Sequence, residues 1–311
     1  MNKFFGSRKA IWKTVLYALT AIAFGAALSV TAVHFMKQDN GDTFHGADVT
    51  PGEYRGLKLS LEDTTITDDD VKTTVDWAIH YYNQKHIDDK DAEQLSIDTL
   101  TDEQTKKAFD ANTVDAFYET VREWRKTQAQ KEYHADGKKQ IGETLLKTSS
   151  IKNFPEDELK ARQEQNLKAT KDSCKDYYNM TFEQYAKNNG MTVEEYEKSL
   201  GEYVEETFRQ ELILTVIADK ENIQVNEDEL DAYIADIIKS GAYESEEKLY
   251  KAYSKSAIRQ ACRIDLTVDW IIEQAEITVL PKGTKIEQNK PTPAPVLTPQ
   301  PAATKKPGKK K

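Results

Sequence analysis

The sequence predicts a mainly α fold: an extended helical domain with two helical-hairpin arms and short edge strands. A transmembrane helix is expected before it and a disordered Pro/Lys-rich tail after it. Three observations carry this. Pro155 is the only proline between Val71 and Leu280, so little in that stretch interrupts a helix. Glycine is scarce, at 13 of 311 residues, while Glu, Lys and Ala abound, a composition that favours helix over sheet. Helix openings of the Thr/Asn-x-x-acid/amide kind also recur ahead of apolar stripes.

The chain begins with a basic segment, residues 1–13, holding Lys3, Arg8, Lys9 and Lys13. "TVLYALTAIAFGAALSVTAVHF" follows, Thr14 to Phe35, with no charged side chain except His34. Its length matches the roughly 20 residues that cross a bilayer and exceeds the roughly 7–15 of a signal-peptide core. An uncleaved signal-anchor over 14–36 is expected, giving a single-pass protein of the cell membrane. The basic flank places the N-terminus in the cytoplasm and the body on the extracytoplasmic side. Residues 37–52 form a polar spacer.

"YRGLKLSLEDTTI" alternates at Leu57, Leu59 and Leu61 and predicts a short strand. Thr67 with Asp70 opens a helix whose face is Val71, Val75, Ala78, Ile79 and Tyr82. A polar, acidic link over residues 84–98 comes next. Thr101 with Gln104 starts a short helix. Thr113 caps a longer one, striped by Val114, Phe117, Tyr118, Val121 and Trp124. That helix continues through "KTQAQKEYHADGKKQIGETLLK", where polar residues dominate until Ile141; such a half-bare helix suggests an extended arm and not part of a compact core. "NFPEDEL" sets Pro155 and three acids at a helix start. "MTFEQYAKNNG" predicts a brief helix closed by Gly190, and "MTVEEYEKSL" another. After Gly201 a separate apolar helix is expected, with Val204, Phe208, Leu212, Ile213, Val216 and Ile217 inside. The link "NIQV" lets Ile223 and Val225 cover the base of an arm, while Asn226 with Glu229 restarts a helix through Leu230, Tyr233, Ile234, Ile237 and Ile238. Ser245 opens one last helix running to Ala275, and "EITVL" closes the domain as a strand. Residues 53–280 therefore form the folded part. Residues 281–311 hold seven of the nine prolines and predict a disordered tail.

Charge is segregated. The chain carries −10 overall, with +4 on residues 1–36 and +7 on residues 281–311, which leaves −21 on residues 37–280. An acidic body is a poor binder of nucleic acid. The tail lysines leave two readings open, contact with anionic lipid or wall polymer and a simply solvated tail.

Motifs for catalysis are sparse. There is no Gly-rich phosphate loop, Gly-x-Ser-x-Gly elbow or His-Glu-x-x-His pair, so no catalytic residue and no cofactor are expected. His80 and His86 lack metal-ligand spacing, and "DDKDAEQLSID" lacks the glycine and glutamate of a calcium loop; no metal is expected. Cys174 and Cys262 leave two readings open, a disulfide or two reduced buried thiols. Fifteen tyrosines are present. Tyr177, Tyr178, Tyr185 and Tyr196 near an arm tip, and Tyr243, Tyr250 and Tyr253 further on, are the candidates for contacting a nonpolar partner.

Three segments carry a resemblance. "GEYRGLKLSLEDTTITDDDV" resembles the strand and helix start that precede the isomerase domain of trigger factor. "LTDEQTKKAFDANTVDAFYETVREWRKTQAQKEYHADGKKQIGETLLKTSSIKNFPEDEL" resembles the segment that follows that domain and enters the first arm. "YVEETFRQELILTVIADKENIQVNEDELDAYI" and "WIIEQAEI" are similar to the second arm and closing helix. The likeness covers roughly Gly52 to Leu280, and the same helical logic occurs in the exported chaperones SurA and PrsA. It implies a nucleotide-independent chaperone that binds unfolded or newly exported polypeptides. Here a membrane span stands where that family has its ribosome-docking domain, and only the link near residues 84–98 stands where its isomerase domain would be. Two other functions compete: a prolyl isomerase foldase, which needs a compact β domain between residues 84 and 140, and a non-enzymatic cell-envelope adaptor.

Overall fold

The computed structural model describes residues 47–89, 92–176, 179–240, 243 and 245–284. The expected anchor (14–36), the tail beyond Thr284, Tyr177 and Tyr178 lie outside the described residues. In order come β1 (Asp48–Thr50), β2 (Lys58–Glu62), α1 (Asp68–Lys85), a 3-10 turn (Ile97–Thr99), α2 (Asp102–Phe109) and α3 (Val114–Thr148). They are followed by β3 (Ser150–Lys152), α4 (Glu156–Asp176), α5 (Phe182–Asn188), α6 (Val193–Lys220), α7 (Glu227–Lys239), α8 (Glu246–Ala252), α9 (Lys255–Glu273) and β4 (Glu276–Leu280). The fold is mainly helical, as expected. β1 pairs antiparallel with β3, Val49 opposite Ile151, and β2 pairs with β4. Among the described residues no helix is long and apolar enough to cross a membrane.

The chain divides into two compact units. The first holds residues 61–136 with 279–284. Thr67 and Asp70 cap α1 reciprocally, and Thr101 and Gln104 do the same for α2, satisfying amide donors that a helix start leaves orphaned. The buried face of α1, Val71, Val75, Ala78 and Ile79, meets Leu95, Phe109, Phe117 and Val121. Phe109 and Phe117 stack with ring centres 4.3 Å apart. The polar link is tied down at Leu95, whose amide donates to Asn83 Oδ1 (2.9 Å) and whose carbonyl accepts from Asn83 Nδ2 (2.8 Å). The described residues between 84 and 140 contain helices and no strand.

The second unit holds, among the described residues, 47–60 and 137–278. Its first hairpin is α4, the short α5 at the turn, and α6. Its second returns from α6 through "NIQV" into α7, α8 and α9. Thr181, Thr192 and Asn226 each form a capping box, with Gln184, Glu195 and Glu229 respectively. Gly190 closes α5 at φ +73°, a conformation that costs a glycine nothing.

Three expectations are corrected here. α6 does not stop at Gly201 but passes through it as one 28-residue helix. Glycine costs a helix interior about 1 kcal/mol, yet here Gln163 Nε2 on α4 donates to the Gly201 carbonyl at 3.0 Å. A Cβ would stand 3.4 Å from that nitrogen. The last helix is not one but two. Tyr253 is extended (φ −140°, ψ 146°) with its ring buried, and Ser254 restarts the helix by accepting from the Ala257 amide. Finally, the polar half of α3 is not bare. Lys138 reaches Asp265 at 2.5 Å with both side chains largely buried, and Gln140 bonds both the amide and the carbonyl of Ser60. That side-chain amide occupies the polar groups of β2 that face it, as a further strand would.

α6 ends where Asn222 takes φ +52°. The Ile223 amide then reaches back to Ala218 O (2.9 Å) and the Asn222 amide to Asp219 O (3.2 Å), a Schellman closure with asparagine in the left-handed seat. Ile223 and Val225 are half-buried, as expected of a link that covers the base. Cys174 and Cys262 are free and buried, which settles the open reading on the side of two thiols. Burial, followed by the Asp265 and Glu229 charges, pushes Cys262 up to about 11.

In the first unit, a hydrogen bond from Lys282 (2.5 Å), helped by the Thr67 amide and hydroxyl, holds the Asp70 carboxyl down at about 2. A carboxylate depressed on folding adds stability that is complete above its unfolded value near 4 and lost as pH falls toward the folded one. Thermal melts should therefore show a loss between about pH 4 and about pH 2 that Asp70→Asn, already weaker at neutral pH, shows to a smaller extent.

Candidate functional site

The α4–α6 hairpin is built on an unusual buried stripe. At three- and four-residue steps α4 buries Leu159, Arg162, Asn166, Thr170, Ser173 and Cys174, so its inner face is mostly polar. α6 answers with Tyr196, Leu200, Val204, Phe208, Glu211, Leu212 and Thr215. At the base Arg162 Nη1 donates to Glu211 Oε2 at 2.8 Å, with side chains only 7% and 3% exposed. Its Nη2 and Nε reach Glu158 Oε1 at 2.6 and 2.9 Å, and the guanidinium lies 3.9 Å above the Phe208 ring centre. Burial pushes the Glu211 carboxyl up while Arg162 pulls it down, and burial wins. Arg162 itself stays charged, raised by Glu211 and Glu158 against desolvation. Glu211 Oε1, Asn166 Oδ1 and Thr170 Oγ1 are buried without hydrogen-bond partners.

At the tip, Phe182 and Ala186 of α5 pack with Cys174, Tyr196 and Leu200. Phe182 and Tyr185 both meet Tyr196 edge to face, at 5.4 and 5.7 Å. Between base and tip lies an open recess of about 460 Å³. Leu167, Leu200 and the bare backbone of Gly201 form its floor, and Gln163 spans it. Glu164, Glu197, Glu202 and Glu205 form the rim, with Lys198 as the cation among the lining residues. Glu197 is held by Lys171 (2.9 Å), an exposed pair of little strength, and Glu205 by Arg209 (2.8 Å), a half-buried one. An apolar floor inside a carboxylate rim accepts a nonpolar side chain, and favours one with cationic neighbours.

The second hairpin is pinned through its link. Arg263 Nε donates to Ile223 O (2.7 Å) and Arg259 Nη1 to Val225 O (2.5 Å). Arg263 also pairs with Asp219 (2.7 Å), and Arg259 with Glu227. Two carbonyls of the extended link, those of Ile223 and Val225, are therefore satisfied by α9.

The tyrosines singled out by sequence fall in different places. Tyr196 is fully buried and Tyr253 is 3% exposed; both serve packing. Tyr185 and Tyr243 are half-buried, and the Tyr243 hydroxyl donates to that of Tyr253 (3.1 Å). Tyr250, 40% exposed, faces solvent. The recess residues Gln163, Leu167, Leu200 and Gly201 were not picked out by sequence, because none has a distinctive chemistry. The available signal was the uninterrupted spacing of Tyr196, Leu200, Val204 and Phe208 across Gly201. Among the described residues no group of three or more His, Cys, Asp and Glu side chains could hold a metal ion.

Removing one member of a buried ion pair leaves the other charge uncompensated. Arg162→Ala should therefore cost about 3–5 kcal/mol in urea unfolding. The double change Arg162→Met with Glu211→Leu should return the midpoint to the parent value or above it.

A family model described as bacterial trigger factor protein (TF) C-terminus matches residues 113–273, just over half of the chain. The match begins at the Thr113 cap of α3 and ends with the last residue of α9. No curated protein matches the chain.

Proposed function

Because this chain belongs to the bacterial trigger factor C-terminus family, a family with a chaperone-type role, we propose that it holds unfolded or newly exported polypeptides at the outer face of the cell membrane without nucleotide. The observation that carries the holding role is the α4–α6 recess, an apolar floor left open between helices that a buried ion pair keeps in register. A non-native segment presents the complementary surface, nonpolar side chains spaced along a chain. One recess of this size gives weak contact, so firm holding requires several contacts at once.

Membrane attachment rests on the sequence: an apolar run from Thr14 to Phe35 with Lys3, Arg8, Lys9 and Lys13 ahead of it. The client-facing role of Tyr250, with its half-exposed ring, fits the same reading, and Tyr185 and Tyr243 contribute at most an edge.

The test uses the full chain in lipid nanodiscs, assayed for suppression of aggregation of a chemically denatured protein and for prolyl isomerisation of a peptide. Suppression at near-stoichiometric ratios without peptide turnover is expected. Leu167→Ser should weaken suppression several-fold at a temperature where its urea midpoint, lowered by the lost packing against the tip cluster, still leaves the chain fully folded. Turnover abolished by a single pocket substitution would favour a foldase, and retention of one folded partner in place of many unfolded clients would favour an adaptor.

A further inference from the structure

We propose that the C-terminal segment of this same chain, residues 285–311, docks on the α4–α6 recess and competes there with clients. The inference rests on the reading of that recess as the client site and adds its regulation. The chemistry of the segment matches the recess in two respects. It carries seven lysines against Glu287, where the recess rim carries Glu164, Glu197, Glu202 and Glu205 against Lys198. It also carries one adjacent pair of large apolar side chains, Val296 and Leu297, the kind of nonpolar group that the Leu167–Leu200 floor accepts.

The rim can exchange partners. Among the described residues Glu164 has no ion pair, Glu202 meets Lys198 only at 3.8 Å, and the Glu197 pair is exposed while the Glu205 pair is half-buried, so at Glu164, Glu197 and Glu202 a lysine arriving from elsewhere displaces little. Glu206, next along α6, is pushed upward by burial and then by Glu202, Glu143 and Glu205, a sign that this side of the helix has carboxylates in excess. The segment has reach: Val296 lies twelve residues beyond Thr284, a span of up to roughly 40 Å at full stretch, more than the width of two packed helices. Prolines through the segment lower the entropy lost on docking. The contact is a set of exposed pairs around a small apolar anchor, so it is weak and salt-sensitive, which is what a displaceable competitor requires.

Carbodiimide, which joins a lysine amine directly to a neighbouring carboxylate, tests this on the full chain with peptide mapping. Links from Lys305, Lys306, Lys309, Lys310 and Lys311 should concentrate on Glu164, Glu197, Glu202 and Glu205. They should fall several-fold at high salt and on addition of excess denatured client. Changing Glu164, Glu202 and Glu205 together to Gln, all on the surface, should lower the remaining link to Glu197 several-fold. Links spread evenly over body carboxylates such as Asp228 and Asp231 of α7 would overturn the proposal, whatever the chain does with clients. Links confined to the recess in a chain that suppresses no aggregation would overturn the client reading and leave the docking standing.

Discussion

The second unit depends on one buried contact, the Arg162–Glu211 pair between α4 and α6. Two charges withdrawn from water cost several kcal/mol each, and their attraction repays this only with good geometry. On the Arg162 side the geometry is good: a 2.8 Å bond to Glu211, a shared bond to Glu158 and a ring face beneath the guanidinium, whereas Glu211 Oε1 has no partner among the described residues. What such a pair supplies is register. An apolar stripe on α4 could slide along α6 by a turn at little cost, whereas a misplaced Arg162 would leave a buried carboxylate alone. With Arg162 fixed, Gln163 arrives one residue later at the carbonyl of Gly201. The recess over Leu167 and Leu200 follows from that placement.

Polar burial recurs as a structural method in this chain. Asn83 holds Leu95, Gln140 bonds both polar groups of Ser60, and Arg259 and Arg263 hold the carbonyls of the "NIQV" link. Each satisfies backbone groups that an extended or irregular segment would otherwise leave unpaired. In the link this explains how a short stretch without helix or sheet joins α6 to α7. Asn222 closes the first helix, two arginines hold the Ile223 and Val225 carbonyls, and Asn226 opens the second. Ile223 and Val225 alternate inward because the segment is extended.

Much of this was legible. Helix starts at Thr67, Thr101, Thr192 and Asn226 follow from local capping chemistry, and a cap needs no knowledge of the rest of the fold. The strands at Leu59 and at Ile277 follow from alternation and position. What failed was tertiary. Gly201 reads as a break until a side chain from α4 is seen against its carbonyl. The helix after Ser245 reads as continuous until Ser254 is recognised as a second cap behind a buried Tyr253. The inner face of α4 was invisible because Arg, Asn, Thr and Ser at helical spacing resemble a solvated face; only the partner helix makes it a core. Aromatic content misled for the same reason: Tyr196 and Tyr253 pack against other rings, and ring count alone does not separate a packing tyrosine from a presenting one.

Taken together, a chaperone-type chain of the trigger factor C-terminus family is built from helical hairpins held by buried polar contacts, leaving an apolar recess in view of solvent. Hydrogen–deuterium exchange of the full chain, with and without a saturating denatured client, tests that claim most directly. The account predicts added protection in peptides covering residues 163–167 and 197–205, with α7 and α9 unchanged. Unchanged exchange across both stretches, with new protection elsewhere, would contradict it.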